Sequence, residues 1–146
     1  MGQMRSPLLR ALPRARYTGL EVSDYLSKRY DWEQAELATF RSARPFDLIV
    51  CYDVLQYLTA VKAARAIGNL ARLCRGVLYF SALTREDWRD NCDRSRTDPN
   101  VYMRGADWYR VRLRRHFIEA GAGMWLRRNA PLVVWELEKA GRAIAY

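Results

Sequence analysis

The sequence predicts an α/β fold built on a mostly parallel sheet and closed by an antiparallel hairpin, and three stretches predict it. Leu48-Ile49-Val50-Cys51 is a short continuous apolar run, the pattern of a strand buried on both faces. A helical repeat over Thr59–Leu73 and a second apolar run over Gly76–Leu83 follow it. A strand, a helix and a strand of these lengths form a right-handed crossover between parallel strands. Near the end, Gly123–Asn129 and Leu132–Glu138 alternate apolar and polar residues on either side of Ala130-Pro131, as a hairpin does. At 146 residues, half of them hydrophobic, the chain reads as a single domain over 1–146 with a core of its own.

Taken in order, Met4–Leu12 is a short helix with Leu8, Leu9 and Leu12 on one face and Pro13 near its end. Arg16–Val22 is a strand ending at Glu21, and Ser23 or Asp24 caps a helix over Asp24–Arg29. Gln34–Leu37 is a weak edge-strand candidate. Phe46–Cys51 is the central strand, and Tyr52, Asp53, Gln56 and Tyr57 lie just beyond its carboxyl end. Open α/β sheets place their ligands there, because the loops diverge and leave a crevice. In Thr59–Leu73 the residues Val61, Ala64, Ile67, Leu70 and Ala71 mark the buried face, with Arg75-Gly76 as its basic last turn and closing glycine.

Thr84–Arg104 is polar and punctuated by Asp98-Pro99-Asn100. Its acids Asp87, Asp90 and Asp93 alternate with Arg85, Arg89, Arg94 and Arg96, which suits a solvated face better than a magnesium site. A long segment after a core strand reads as a lid or ligand-binding loop, with Trp88, Tyr102 and Arg104 as its contacts. Ala106–Ala120 is an amphipathic helix carrying Trp108, Val111, Leu113, Phe117 and Ile118, with Gly121 as its stop. His116, the one histidine, reads as structural or exposed.

The formal charge is +9, almost all from arginine. Such a balance attracts nucleic acid when the charge is gathered into a stripe. Here arginines run from Arg5 to Arg142, with only Arg110–Arg115 and Arg127-Arg128 locally dense, so a generally solvated basic surface is the favoured reading. Cys51, Cys74 and Cys92 follow no metal-ligand spacing and read as reduced thiols of a cytoplasmic protein. No run approaches the roughly 18 apolar residues of a membrane helix, and Met1–Arg16 lacks the apolar core of a signal peptide. No nucleophile elbow, HExxH pair or Walker lysine loop is present.

Two stretches carry a family resemblance. Phe46–Leu58 (Phe-Asp-Leu-Ile-Val-Cys-Tyr-Asp-Val-Leu-Gln-Tyr-Leu) resembles the fourth-strand motif of class I S-adenosylmethionine-dependent methyltransferases, with Gln56-Tyr57 where that family often has Glu-His. Tyr17–Ser23 resembles its second strand, whose terminal acid binds the cofactor ribose, and the likeness runs in order from about residue 2 to about residue 138. The resemblance implies a Rossmann-like sheet, S-adenosyl-L-methionine as cofactor and a closing antiparallel hairpin. It places Glu21 and Val22 at the ribose, Glu36 and Leu37 at the adenine, and Cys51 and Tyr52 along the methyl path. Asp53 and Tyr57 would face the methyl acceptor, joined by Trp88, Tyr102 and Arg104 from the lid. Read from the residues alone, Glu36-Leu37 also fit a plain edge strand, Asp53 an N-cap of a turn through Val54–Leu58, and Tyr57 a ring packed beneath the lid.

Gly2-Gln3 resemble the tail of the family's Gly-rich turn, and the strand and most of the turn before it have no counterpart in the sequence. A sheet without that strand is expected to be marginal or to self-associate. The chain also lacks the Asp/Asn-Pro-Pro-aromatic and Pro-Cys signatures of the DNA-modifying relatives, so a small molecule is the leading acceptor, with RNA or protein as alternatives. Two other readings compete: a methyltransferase-like binding module without catalysis, and a basic RNA-binding α/β domain. The methyltransferase reading expects Glu21 and the Cys51–Tyr57 turn at one rim of a shared sheet.

Overall fold

The computed structural model describes residues 5–132. The chain divides into two compact units, Met1–Phe40 and Arg41–Tyr146. The one continuous sheet expected from the sequence is found as two ladders, β1-β2 and β3-β4-β6-β5. Among the described residues no strand pairs with the second edge of β3, so nothing extends the larger ladder beyond it.

The first unit holds α1 (Arg5–Ala11), β1 (Leu20–Glu21), α2 (Asp24–Tyr30) and β2 (Glu33–Gln34). Ser23 caps α2, its Oγ accepting from the Leu26 amide at 3.4 Å. The strand expected over Arg16–Val22 shrinks to two residues, because its only partner among the described residues is the equally short β2, in parallel register Leu20↔Glu33 and Glu21↔Gln34. The candidate strand over Gln34–Leu37 moves forward to Glu33–Gln34. Beyond it the Glu36 carbonyl accepts from the amides of Thr39 (3.1 Å) and Phe40 (2.9 Å), which bends the chain into a turn.

The second unit opens with the expected crossover: β3 (Phe46–Tyr52), a 3₁₀ turn (Leu55–Tyr57), α3 (Ala60–Leu73) and β4 (Cys74–Ser81), with β3 and β4 parallel. The buried stripe of α3 is Ala63, Ala66, Ile67, Leu70 and Leu73. Val61 is 62% exposed, so the inward face is rotated by about a residue from the one read in the sequence. Arg75 and Gly76 do not close the helix; Cys74 leads straight into β4, and both residues belong to the strand. The register jumps from Phe46↔Cys74 to Leu48↔Val77, so Asp47 faces Arg75 and Gly76 together. Arg75 Nε donates to Asp47 Oδ1 at 2.6 Å, and a Cβ on Gly76 would stand 2.3 Å from the Asp47 carbonyl oxygen. The glycine is there because the bulge brings a neighbouring backbone too close for a side chain.

After α4 (Arg85–Asp90) comes α5, which stops at Leu113 (Ala106–Leu113) rather than running to Ala120. Phe117–Gly121 forms β5, antiparallel to β6 (Met124–Arg127), and β6 pairs with β4. The Gly121-Ala122-Gly123 turn has φ values of 93°, 50° and 78°, a left-handed run that explains the two glycines and makes Gly121 a hairpin residue rather than a helix stop. Phe117 is fully buried, and the His116 carbonyl takes the Arg127 guanidinium (2.7 Å) and the Arg128 amide (3.2 Å) instead of a helical partner. The expected first arm of the hairpin thus appears as β6, with β5 as its partner. The expected second arm, Leu132–Glu138, lies beyond Leu132 outside the described residues. The core of this unit is Leu55, Ile67, Leu70, Leu78, Leu113 and Phe117. No helix among the described residues is long and apolar enough to cross a membrane.

Candidate functional site

Because β3 and β4 are parallel neighbours with Tyr52 opposite Ser81, their carboxyl ends emerge side by side. Asp53 follows at once with φ 54°, in the left-handed region that aspartate tolerates better than bulkier residues, and its amide donates to the Ser81 carbonyl at 3.0 Å. The chain then winds into the 3₁₀ turn. Val54, not Asp53, is the residue that starts this turn, and no side chain caps it, so the Asp53 carboxylate is not used as an N-cap.

A cleft of about 620 Å³ opens at these strand ends. Asp53, Gln56 and Tyr57 form one wall, Ser81–Leu83 the floor, and Asp87, Arg96 and Asp98 face them from the Thr84–Arg104 segment. That segment starts on a reciprocal cap. The Asp87 amide donates to Thr84 Oγ1 at 3.1 Å, and the Thr84 hydroxyl donates to Asp87 Oδ2 at 2.6 Å. The same hydroxyl is the main reason the Asp87 carboxyl stays below the usual carboxylate range. The segment's far end returns to its start, Arg104 bridging Thr84 and its carbonyl accepting from the Arg85 amide at 2.8 Å. It is a loop closed at the neck.

Three carboxylates, Asp53, Asp87 and Asp98, and one arginine, Arg96, therefore line the cleft. Burial first, then the charges of Asp98 and Asp53, push the Tyr57 phenol above its ordinary value, so at neutral pH it remains a hydroxyl able to donate. Cys51 is buried at the end of β3, and burial, helped by Asp53, pushes its thiol up to about 12. It is no nucleophile at neutral pH.

Of the residues read from the sequence, the structure brings Asp53 and Tyr57 together on the cleft, with Cys51 directly behind them on β3. The exposed Tyr52 ring stacks on Tyr79 with centroids 6.3 Å apart. Trp88, Tyr102 and Arg104 do not line the cleft. The Trp88 carbonyl holds Arg94 Nε at 3.1 Å. Tyr102 donates its amide to the Gln56 carbonyl at 2.8 Å, and Arg104 is buried behind the 3₁₀ turn. The buried Gln56 belongs to the wall read from the sequence, whereas Asp87, Arg96 and Asp98 are contributors that sequence reasoning missed as site residues. The only signal for Asp98 was its turn, in which its carboxylate accepts from the Asn100 amide at 2.8 Å.

In the first unit Glu21 ends β1, as expected. Its Oε1 accepts from the amides of Val22 (2.9 Å) and Ser23 (3.0 Å), and its Oε2 takes no bond from a described residue. Val22 is exposed, and Glu36 and Leu37 enter the turn after β2. Gly2 lies outside the described residues.

No protein-family model matches the sequence, and no curated protein matches it by sequence. Solved structures do match the fold. The chain is similar to the N-methyltransferase NodS from Bradyrhizobium japonicum WM9, solved in complex with S-adenosyl-L-homocysteine, with a TM-score of 0.56 and 20% identity over 77% of this chain and 67% of that one. A second NodS structure gives a TM-score of 0.55 and 21% identity over 77% and 73%. The fold is that of a class I methyltransferase. Its strand order and the cleft at the ends of β3 and β4 follow the crevice rule for open α/β sheets.

Proposed function

We propose that the chain is an S-adenosyl-L-methionine-dependent methyltransferase whose acceptor is a small molecule seated between Asp53, Tyr57 and Asp98. The observation that carries this reading is the acidic cleft at the carboxyl ends of two parallel strands in a class I methyltransferase fold. Within the first unit, Glu21 has one oxygen oriented by two backbone amides and one that takes no bond from a described residue, which suits a ribose hydroxyl. When bound, the sulfonium supplies an electrophilic methyl group.

In-line displacement on such a methyl needs alignment more than acid–base chemistry, and alignment supplies about 7–11 kcal/mol. This accounts for a site without a dyad or triad. The Tyr57 hydroxyl donates to the acceptor and fixes its orientation, and the Asp53 side chain receives the proton that a neutral nucleophile sheds. A lining of three carboxylates and one arginine favours an acceptor bearing a basic nitrogen. NodS is itself an N-methyltransferase, which supports the same class. The two arginine clusters favour no RNA reading. Arg110 and Arg114 share Glu119 at 3.2 and 2.7 Å, and Arg127 and Arg128 bind the carbonyls of His116 and Arg114.

The test is methyl-tritiated S-adenosyl-L-methionine offered with panels of small amines, phenols and carboxylic acids. Transfer to amines, reduced about 100-fold or more by Asp53→Asn, is expected. Transfer confined to phenols or acids, or insensitive to Asp53, would remove the amine assignment. No transfer to any panel would remove the small-molecule reading.

A further inference from the structure

We propose that Arg104 is a positioning residue that sets the Asp53–Tyr57 wall of the cleft by holding the carbonyls of Leu55 and Leu58 from behind. Arg104 is 7% exposed, and among the described residues no carboxylate pairs with it. Burying a guanidinium without a counter-charge is expensive unless its donors are satisfied. Here the offset is local. Nη1 donates to the Leu55 carbonyl at 3.1 Å and to the Tyr109 hydroxyl at 3.3 Å, Nη2 donates to the Leu58 carbonyl, and the guanidinium lies 4.8 Å from the Trp108 ring centroid.

The two carbonyls belong to the first residue of the 3₁₀ turn and the residue that ends it. The Leu55 carbonyl already accepts from the Leu58 amide at 3.2 Å and the Leu58 carbonyl lies at the turn's end, and a planar fork reaches both at once. The turn is tied at two further points. Gln56 is 4% exposed; its Oε1 accepts from the Leu83 amide at 3.1 Å and its backbone carbonyl from the Tyr102 amide at 2.8 Å. So Leu83, just past β4, and the returning arm of the Thr84–Arg104 loop both fasten to Leu55–Leu58, while Tyr109 of α5 holds the Arg104 guanidinium itself. Arg104 is the only charged member of this set, and its backbone closes the loop's neck against Thr84 and Arg85. Wall and loop are thereby positioned by one side chain. That the wall serves a methyl acceptor rests on the function proposed above; that Arg104 holds it does not.

Amide hydrogen exchange on the full chain tests this in wild type, Arg104→Met and Arg104→Lys. The expected result with Met is exchange at Tyr57, Leu58, Leu83 and Tyr102 accelerated about tenfold or more, with α3 and the centre of β4 unchanged. Lysine, a point charge that reaches one carbonyl, is expected to stay closer to Met than to wild type. Uniform acceleration through α3 and β4, no acceleration, or full protection by lysine would each overturn the proposal. Should Arg104→Met fail to fold, Tyr109→Phe decides: the same amides must open, by a smaller factor, and their silence would overturn it. Failure of the wild type to bind S-adenosyl-L-homocysteine would retire the methyl-transfer reading and leave this exchange pattern standing.

Discussion

Two glycine-to-alanine substitutions, a few residues apart, should change stability in opposite directions. Gly76 sits in the β3–β4 bulge, where an added Cβ would meet the Asp47 carbonyl oxygen at 2.3 Å. Ordinary carbon contacts lie at about 3.5–4.0 Å, so the two strands must separate by roughly 1 Å at a point where both backbones are held in a ladder. Overpacking of this kind costs about 1–3 kcal/mol. The stiffer unfolded chain returns about 0.4–1 kcal/mol, leaving Gly76→Ala destabilised by about 1.3 kcal/mol at the mid-range values and by at most about 2.6 kcal/mol. Gly68 lies on the exposed side of α3, and a Cβ there meets nothing within 4 Å. Gly68→Ala should gain about 0.5–1 kcal/mol from helix propensity. Urea unfolding at 25 °C, with m-values compared to confirm a common unfolded state, reads both. A Gly76→Ala midpoint at or above wild type would refute the bulge as the reason for the glycine. A loss at Gly68 would refute the placement of α3's outer face.

Thr84→Ala breaks the reciprocal cap of α4 and should cost about 1 kcal/mol, read by urea unfolding, with amide exchange rising first in Arg85–Asp90. Cys51 has an ordinary thiol value of 9.0 and is pushed up to about 12 by burial and then Asp53, so the folded state keeps its proton where the unfolded state loses it. Its contribution is intact below pH 9.0 and falls as pH rises toward 12, at about 1.4 kcal/mol per unit; Cys51→Ala should flatten that alkaline loss in urea midpoints. At pH 8 Cys92 should react with a thiol reagent well before the buried Cys51 and Cys74. His116 is held below its ordinary value by burial, then by Arg127 and Arg115. Its proton NMR titration should therefore fall below pH 6.5, and its share of stability should be lost as pH falls through that shifted midpoint.

The central crossover was legible because its strands are continuous apolar runs and its helix repeats at 3.6 residues, signals that tertiary context reinforces. The end of α3 was misread because Arg75-Gly76 is a good helix-closing pair by local chemistry; a bulge partner 29 residues away, Asp47, determines its real conformation. The break at Leu113 was hidden for a related reason. Phe117 and Ile118 continue the helical apolar pattern, and only pairing with Leu126 and Arg127 makes them strand residues. In the site, Asp53 and Tyr57 were readable because they directly follow a strong strand. Arg104 and Gln56 were named too, but their roles were not readable, since a carbonyl and an amide that define them are 49 and 27 residues away in the chain.

Equilibrium titration of S-adenosyl-L-homocysteine into the wild-type chain and into Glu21→Gln tests the central claim most directly. The account predicts saturable one-to-one binding to the wild type, weakened about 10- to 100-fold by the substitution, the equivalent of a charge-assisted hydrogen bond worth roughly 1.5–3 kcal/mol. Equal affinity in both proteins, or no binding to the wild type, would contradict it.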